Sequence, residues 1–156
     1  MDKELHPYVV FLPSEQKTKI LNAIFGSKAA VNILKFSLGQ RVSSTIFQRD
    51  LLGKLDYSNK TIIETLKSLT RLGILHEEMQ KIAKEGRTVW VKAYQLSDAG
   101  KWFALLLAEK GDLSALEKAD ILQNAFRGYV RWVKNLSEDL HVNKQTLKKI
   151  FSEEMK

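Results

Sequence analysis

Apolar residues recur along this chain with two different periods, and the change from one to the other divides it into elements. Ile20, Leu21, Ile24 and Phe25, then Val31, Ile33, Leu34, Phe36 and Leu38, keep the spacing that lines one face of a helix. Gly26-Ser27 interrupts them, so the spacing predicts two helices. Ser27 caps the second, because its hydroxyl can accept from a free N–H of the first turn. Gly39-Gln40-Arg41 ends that pattern, and Val42 can begin a short strand. Ser44 or Thr45 then caps a short helix, Ile46 to Leu55, with Phe47, Leu51, Leu52 and Leu55 facing inward. Asp56-Tyr57 makes a tight corner. Ser58 caps a further helix, Asn59 to Leu72, whose core side is Ile62, Leu66 and Leu69. Gly73 stands just past the helix end, where a positive φ is needed.

After Gly73 the period drops to two. Ile74 to Ile82 and Thr88 to Leu96 read as strands, joined by the turn Lys84-Glu85-Gly86-Arg87 into a hairpin with a basic tip. Val89, Val91 and Ala93 share one face of the second strand, and Trp90, Lys92 and Tyr94 the other. Helical spacing returns at Ser97-Asp98-Ala99-Gly100 with Trp102, Phe103, Leu105, Leu106 and Leu107, and stops at Gly111. Ser114-Ala-Leu-Glu117 is a capping box for a helix running at least to Asn135. At the other end, Tyr8-Val-Val-Phe-Leu-Pro13 reads as an extended arm, and Ser14 can cap the first helix. The expected division is an arm over 1–13, a body over 14–111 and a C-terminal helical region over 112–156. The expected class is mainly α with a small β-hairpin.

Composition narrows the function classes. Of 156 residues, 44% are hydrophobic and 28% charged, a globular balance. A net charge of +7 favours polyanions, whether nucleic acid, acidic membrane or acidic protein, without choosing among them. The absence of cysteine removes disulfides, thiolate metal sites and cysteine nucleophiles, and fits a reducing interior. His6, His76 and His141 have no ligand spacing, so no metal or other cofactor is expected. The longest apolar run, Trp102 to Ala108, is too short to span a bilayer, and Met1-Asp2-Lys3-Glu4 does not open a signal peptide. A soluble, cytoplasmic protein with no membrane partner is expected. No nucleophile has a paired base and no glycine-rich phosphate loop is present, so an enzyme is not expected.

The order helix, helix, corner, helix, glycine, hairpin is that of a winged helix-turn-helix. Phe47-Gln-Arg-Asp-Leu-Leu-Gly-Lys-Leu-Asp-Tyr-Ser-Asn-Lys-Thr-Ile62 and Leu66-Lys-Ser-Leu-Thr-Arg-Leu-Gly-Ile-Leu75 resemble the corresponding stretches of prokaryotic ArsR- and MarR-type transcriptional regulators. Tyr94-Gln-Leu-Ser-Asp-Ala-Gly100 is similar to the "tyrosine, leucine, threonine, any two, glycine" line that closes the wing in many of them. The resemblance covers about half of the chain. It implies a homodimeric, sequence-specific regulator bound to double-stranded DNA. An α-helix fits the major groove, and a helix N-terminus suits phosphate oxygens. The candidate contacts are Ser58, Asn59, Lys60 and Thr61 at the helix start, Glu64, Thr65, Lys67 and Ser68 facing outward one turn on, and Lys84 and Arg87 at the hairpin tip. Ile63 and Glu64 depart from the family, which favours a small polar and a basic residue there. Ile63 fits a thymine methyl, or equally a protein surface, so a protein–protein module within a transcription or replication assembly is the alternative.

The last third reads in two ways. Ala119, Leu122, Phe126, Tyr129, Val133, Leu136, Leu140, Asn143, Leu147 and Ile150 are spaced as a heptad seam, which predicts one long helix that dimerises as a coiled coil. Alternatively the helix breaks near Asn135, and Leu136 to Leu147 form a second short helix-turn-helix with Val142 in the turn and Asn143 as cap; His141 then stands where glycine is usual. The aromatic residues Trp102, Phe103, Phe126, Tyr129 and Trp132 either line a pocket for a small-molecule effector or belong to the core.

Overall fold

Short polar side chains start most of the helices. Ser27 Oγ accepts from the Ala30 N–H at 3.2 Å and opens α1, Lys28–Gln40. α2 is Gln48–Lys54 and α3 is Asn59–Arg71, the latter opened by Ser58, whose Oγ accepts from the Thr61 N–H at 3.1 Å. The strands are β1 (Ile46–Phe47), β2 (Leu75–Lys84) and β3 (Arg87–Leu96). They form one antiparallel sheet in the order β1-β3-β2. α4 (Asp98–Leu107), α5 (Ala115–Asp139) and α6 (Lys144–Glu154) complete the chain. The protein is mainly helical, with a three-stranded sheet whose long hairpin forms a wing, and this is a winged-helix arrangement. The computed structural model describes residues 26–156. The expected arm, the helix capped by Ser14, the apolar positions 20–25 and His6 lie outside the described residues.

One local expectation gives way to tertiary pairing. Ile46 and Phe47 are not the first turn of a helix but a strand, opposite Tyr94 and Ala93 of β3. Ile46 is fully buried there, and α2 starts at Gln48 without a side-chain cap. Thr45 accepts instead from the side-chain amides of Gln80 and Gln95, at 3.5 and 3.3 Å. The free edge of β3 outcompetes a cap, because it pairs backbone groups that a helix start leaves open. Val42 begins no strand; it is a buried turn residue.

The hairpin register follows from its turn. Glu85 and Gly86 both have positive φ, 49° and 75°, the signature of a two-residue type I′ connection whose twist matches that of the strands. Lys84 therefore faces Arg87 and Leu75 faces Leu96. The core lies between α1, α2, α3, the sheet base and α4, around Ile33, Leu34, Leu51, Ile62, Leu66 and Ile74. Leu113 and Ile121 join it, so it extends past residue 111.

α3 and α5 end in the same way, with different residues at the critical position. After α3, Gly73 takes φ +74°, the Ile74 N–H donates to Leu69 O at 2.9 Å and the Gly73 N–H to Thr70 O at 3.1 Å. After α5, His141 takes φ +58°, the Val142 N–H donates to Ser137 O at 2.8 Å and the His141 N–H to Glu138 O at 3.3 Å. Both are Schellman endings, which glycine suits because it has no Cβ to crowd the left-handed conformation. His141→Gly is expected to raise the unfolding free energy by roughly 0.5–1 kcal/mol, the steric relief exceeding the extra chain entropy of glycine. Urea unfolding of the two proteins measures this. A loss of stability would show that the imidazole supplies more to the turn than its backbone costs.

Candidate nucleic-acid interface

α3 is split lengthwise by its sequence. Ile62, Thr65, Leu66 and Leu69 are buried against the core. On the other side Lys60, Glu64, Lys67 and Arg71 are exposed at intervals of three and four, a stripe of three cations and one acid. Asn59 and Ser58 are exposed at its N-terminal end, where the first N–H groups of the helix are open. Thr61 is half-buried, and its hydroxyl accepts from Ser58 Oγ at 2.9 Å.

Thr65 does not face outward as expected. It is 9% exposed, and its hydroxyl donates to Thr61 O at 2.6 Å. The reason is angular: residue 65 is three positions after Ile62 and four before Leu69, and so falls on the buried stripe. Ser68 is half-buried. With Thr61, Glu64 and Leu69 it lines a shallow cleft of about 250 Å³ beside Ser27 and Ala30 at the start of α1. Ile63 is also half-buried. Arg71 also belongs to the exposed stripe, beyond the residues expected to contact DNA. Its spacing of four from Lys67 was the available signal.

The wing carries Lys84 and Arg87 opposite one another at its tip, both exposed. Further down, Lys81 faces Trp90 and Met79 faces Lys92 on one side of the hairpin. The Lys81 ammonium lies 4.8 Å from the centre of the Trp90 ring, and Lys92 pairs with Glu77 at 3.4 Å. Trp90 is 59% exposed and Met79 49%. At the base of the same side, the buried Tyr94 reaches Gln48 at the start of α2 at 3.5 Å. Burial, aided by the nearby Glu77 carboxylate, pushes the Tyr94 phenol up from its ordinary value, so it remains a neutral hydroxyl.

A compact clamp sets the wing against α3. The Ser97 hydroxyl lies within hydrogen-bond reach of both Gly73 O and Ile74 O and accepts from the Gly100 N–H at 3.0 Å. The Ser97 N–H also donates to Ile74 O at 3.0 Å. The turn after α3, the end of β3 and the start of α4 are thus tied at one point. Gly100 packs directly on that turn, since a Cβ there would stand 2.2 Å from Ile74 O.

The C-terminal seam is not one continuous helix. α5 ends at Asp139, and Leu140 to Asn143 turn the chain before α6. Asn143 caps α6, accepting from the Gln145 N–H at 2.8 Å, with Val142 in the turn, while the break falls at residue 140 rather than near Asn135. The left-handed backbone at His141 breaks the heptad line, so Leu147 and Ile150 do not extend the row begun by Leu122. α6 instead folds back on α5, stacking Phe151 on Phe126 with ring centres 5.5 Å apart. Phe126, Tyr129, Val133, Leu147 and Ile150 share the resulting groove. Leu122 and Leu140 are exposed and Leu136 is half-buried. The aromatic residues considered for an effector pocket are separated. Phe103 is in the core, Trp102 packs against it, Phe126 and Tyr129 line the groove, and Trp132 stacks on Tyr129. Among the described residues no helix is long and apolar enough to cross a membrane, and no cluster of His, Asp or Glu could hold a metal ion.

No protein-family model matches this chain, and no curated protein matches it by sequence. A solved structure described as a possible transcriptional regulator from Methanosarcina mazei Go1 is similar to it, with 18% identity and a TM-score of 0.41 over 80% of this chain and 85% of that one.

Proposed function

We propose that this protein is a transcriptional regulator that binds double-stranded DNA sequence-specifically as a homodimer. The observation that carries this reading is the outward stripe of α3, where Lys60, Lys67 and Arg71 follow a serine-capped helix start bearing Asn59. The N-terminal half of α3 lies in the major groove, Asn59 and Lys60 reach base edges or phosphates, and Lys67 and Arg71 hold the backbone. Lys84 and Arg87 bring the wing tip to the adjacent backbone or minor groove. Glu64 favours cytosine on its side of the stripe, because a carboxylate accepts from the cytosine amine and repels phosphate. Thr65 acts from within, holding the helix rather than touching DNA.

The test is selection of duplexes from a random pool, followed by titration of the selected duplex over a salt series. Four or five cations on phosphates predict a log–log salt slope of about −4 per protomer. No binding to any duplex at low salt would overturn the reading. The exposed Trp90 and Met79 favour a second one, in which the wing docks on a protein. In that case Trp90→Ala or Ile63→Asp removes a stable partner, and duplex binding is absent.

A further inference from the structure

α6 is an 11-residue helix with no buried residue. Helices this short are marginal in water unless an apolar face is covered. Its apolar face is Leu147, Ile150 and Phe151, and α5 covers only part of it. Phe126, Val130, Ile150 and Phe151 are each more than two-fifths exposed, along an open, mostly apolar groove of about 690 Å³ between the two helices.

The charges of α6 indicate what closes that groove. Lys148 and Lys149 lie at its middle, Glu153 and Glu154 at its C-terminal end. This order opposes the helix's own dipole, which favours acids at the start and bases at the end. None of these four residues has an ion pair among the described residues, whereas Lys144 pairs with Glu138. A sequence that places basic before acidic charge on an uncovered helix is complementary to itself when reversed. Lys148 and Glu154 line the groove, whereas Lys149 and Glu153 lie outside it, so in a reversed copy Lys148 of one chain comes to Glu154 of the other.

We propose that α6 pairs antiparallel with α6 of a second copy about a twofold axis near Phe151, setting Lys148 of each opposite Glu154 of the other and closing both α5–α6 grooves. The proposal deepens the homodimer reading above and rests on it. It replaces a continuous coiled coil by an isologous helical bundle.

The chain has no cysteine, so single cysteines report the geometry. In an antiparallel pair the two copies of residue 150 lie close to the twofold axis, whereas the two copies of residue 147 are about 12 Å apart along the helices. A disulfide needs Cα atoms within about 7 Å. Ile150→Cys is therefore expected to cross-link under mild oxidation and Leu147→Cys is not. Sedimentation of the full chain should give a dimer. Lys148→Glu and Glu154→Lys should each dissociate several-fold more readily, and mixing the two variants should restore association as a heterodimer. Cross-linking at both positions would mean a parallel pair. That result overturns this inference and leaves the homodimer standing; a monomeric chain overturns both. Charge variants that self-associate as the natural protein does would also overturn the pairing. Duplex binding, measured on the same proteins, reports separately on α3.

Discussion

Gly100→Ala is expected to lower the unfolding free energy by about 3 kcal/mol, at the upper end of what an added carbon in a packed interior costs. Gly100 has ordinary negative-side backbone angles, so its need for glycine does not come from conformation. It comes from contact: the added Cβ would stand 2.2 Å from Ile74 O and 3.1 Å from Leu96 Cδ2. The carbonyl cannot move aside without loosening its bonds to the Ser97 N–H and hydroxyl. Nor can α4 withdraw, because Phe103, Ala104 and Leu107 anchor it in the core. The appropriate control is Gly128→Ala, in the middle of α5, where an added Cβ meets nothing within 4 Å. That change should stabilise by up to about 1 kcal/mol through helix propensity. Urea unfolding of both variants decides the matter, and equal responses would show that the clamp between α3 and the wing is not the constraint described. Because the clamp sets the angle between α3 and the wing, a folded Gly100→Ala protein should also bind duplex less tightly.

Lys60→Glu/Arg87→Glu is expected to weaken binding of the selected duplex by at least a hundredfold at low salt, and to make the salt slope about 2 less steep. Each substitution removes a phosphate or base contact and puts a like charge against the backbone. Lys60 and Arg87 are both exposed, so the unfolding midpoint should stay within experimental error of the parent. Fluorescence anisotropy at several salt concentrations separates this from a general loss of positive charge. Lys110→Glu, a solvent-exposed reversal in the loop before α5, should change the slope little. Undiminished affinity of the double variant would remove the wing tip and the start of α3 from the DNA interface.

The regular parts of the fold were legible because short-range chemistry decides them. Ser27, Ser58, Ser97 and the Ser114–Glu117 capping box begin helices in the structure as their side chains predict. Gly73 ends α3, and Glu85-Gly86 turns the hairpin. Where the reading failed, the deciding partner lay far along the chain. Ile46-Phe47 became a strand because β3, almost fifty residues later, offered an edge. Thr65 turned inward because the core lies beneath α3, a matter of helical phase that its polar hydroxyl concealed. The heptad spacing of the last third was real as a pattern. It could not show that the chain would reverse at a histidine, because periodicity records which residues are apolar and not whether the backbone between them is continuous.

The sequence by itself determined the helix caps, the hairpin turn, the composition of the α3 stripe and the reversed charge order of α6, all set by residues within a turn or two of one another. Only the tertiary structure decided that Gly100 must lack a side chain, that Ile46 and Phe47 pair with β3 and that Phe151 returns to Phe126. Those depend on distances between segments, which packing of the common core sets and local preference does not.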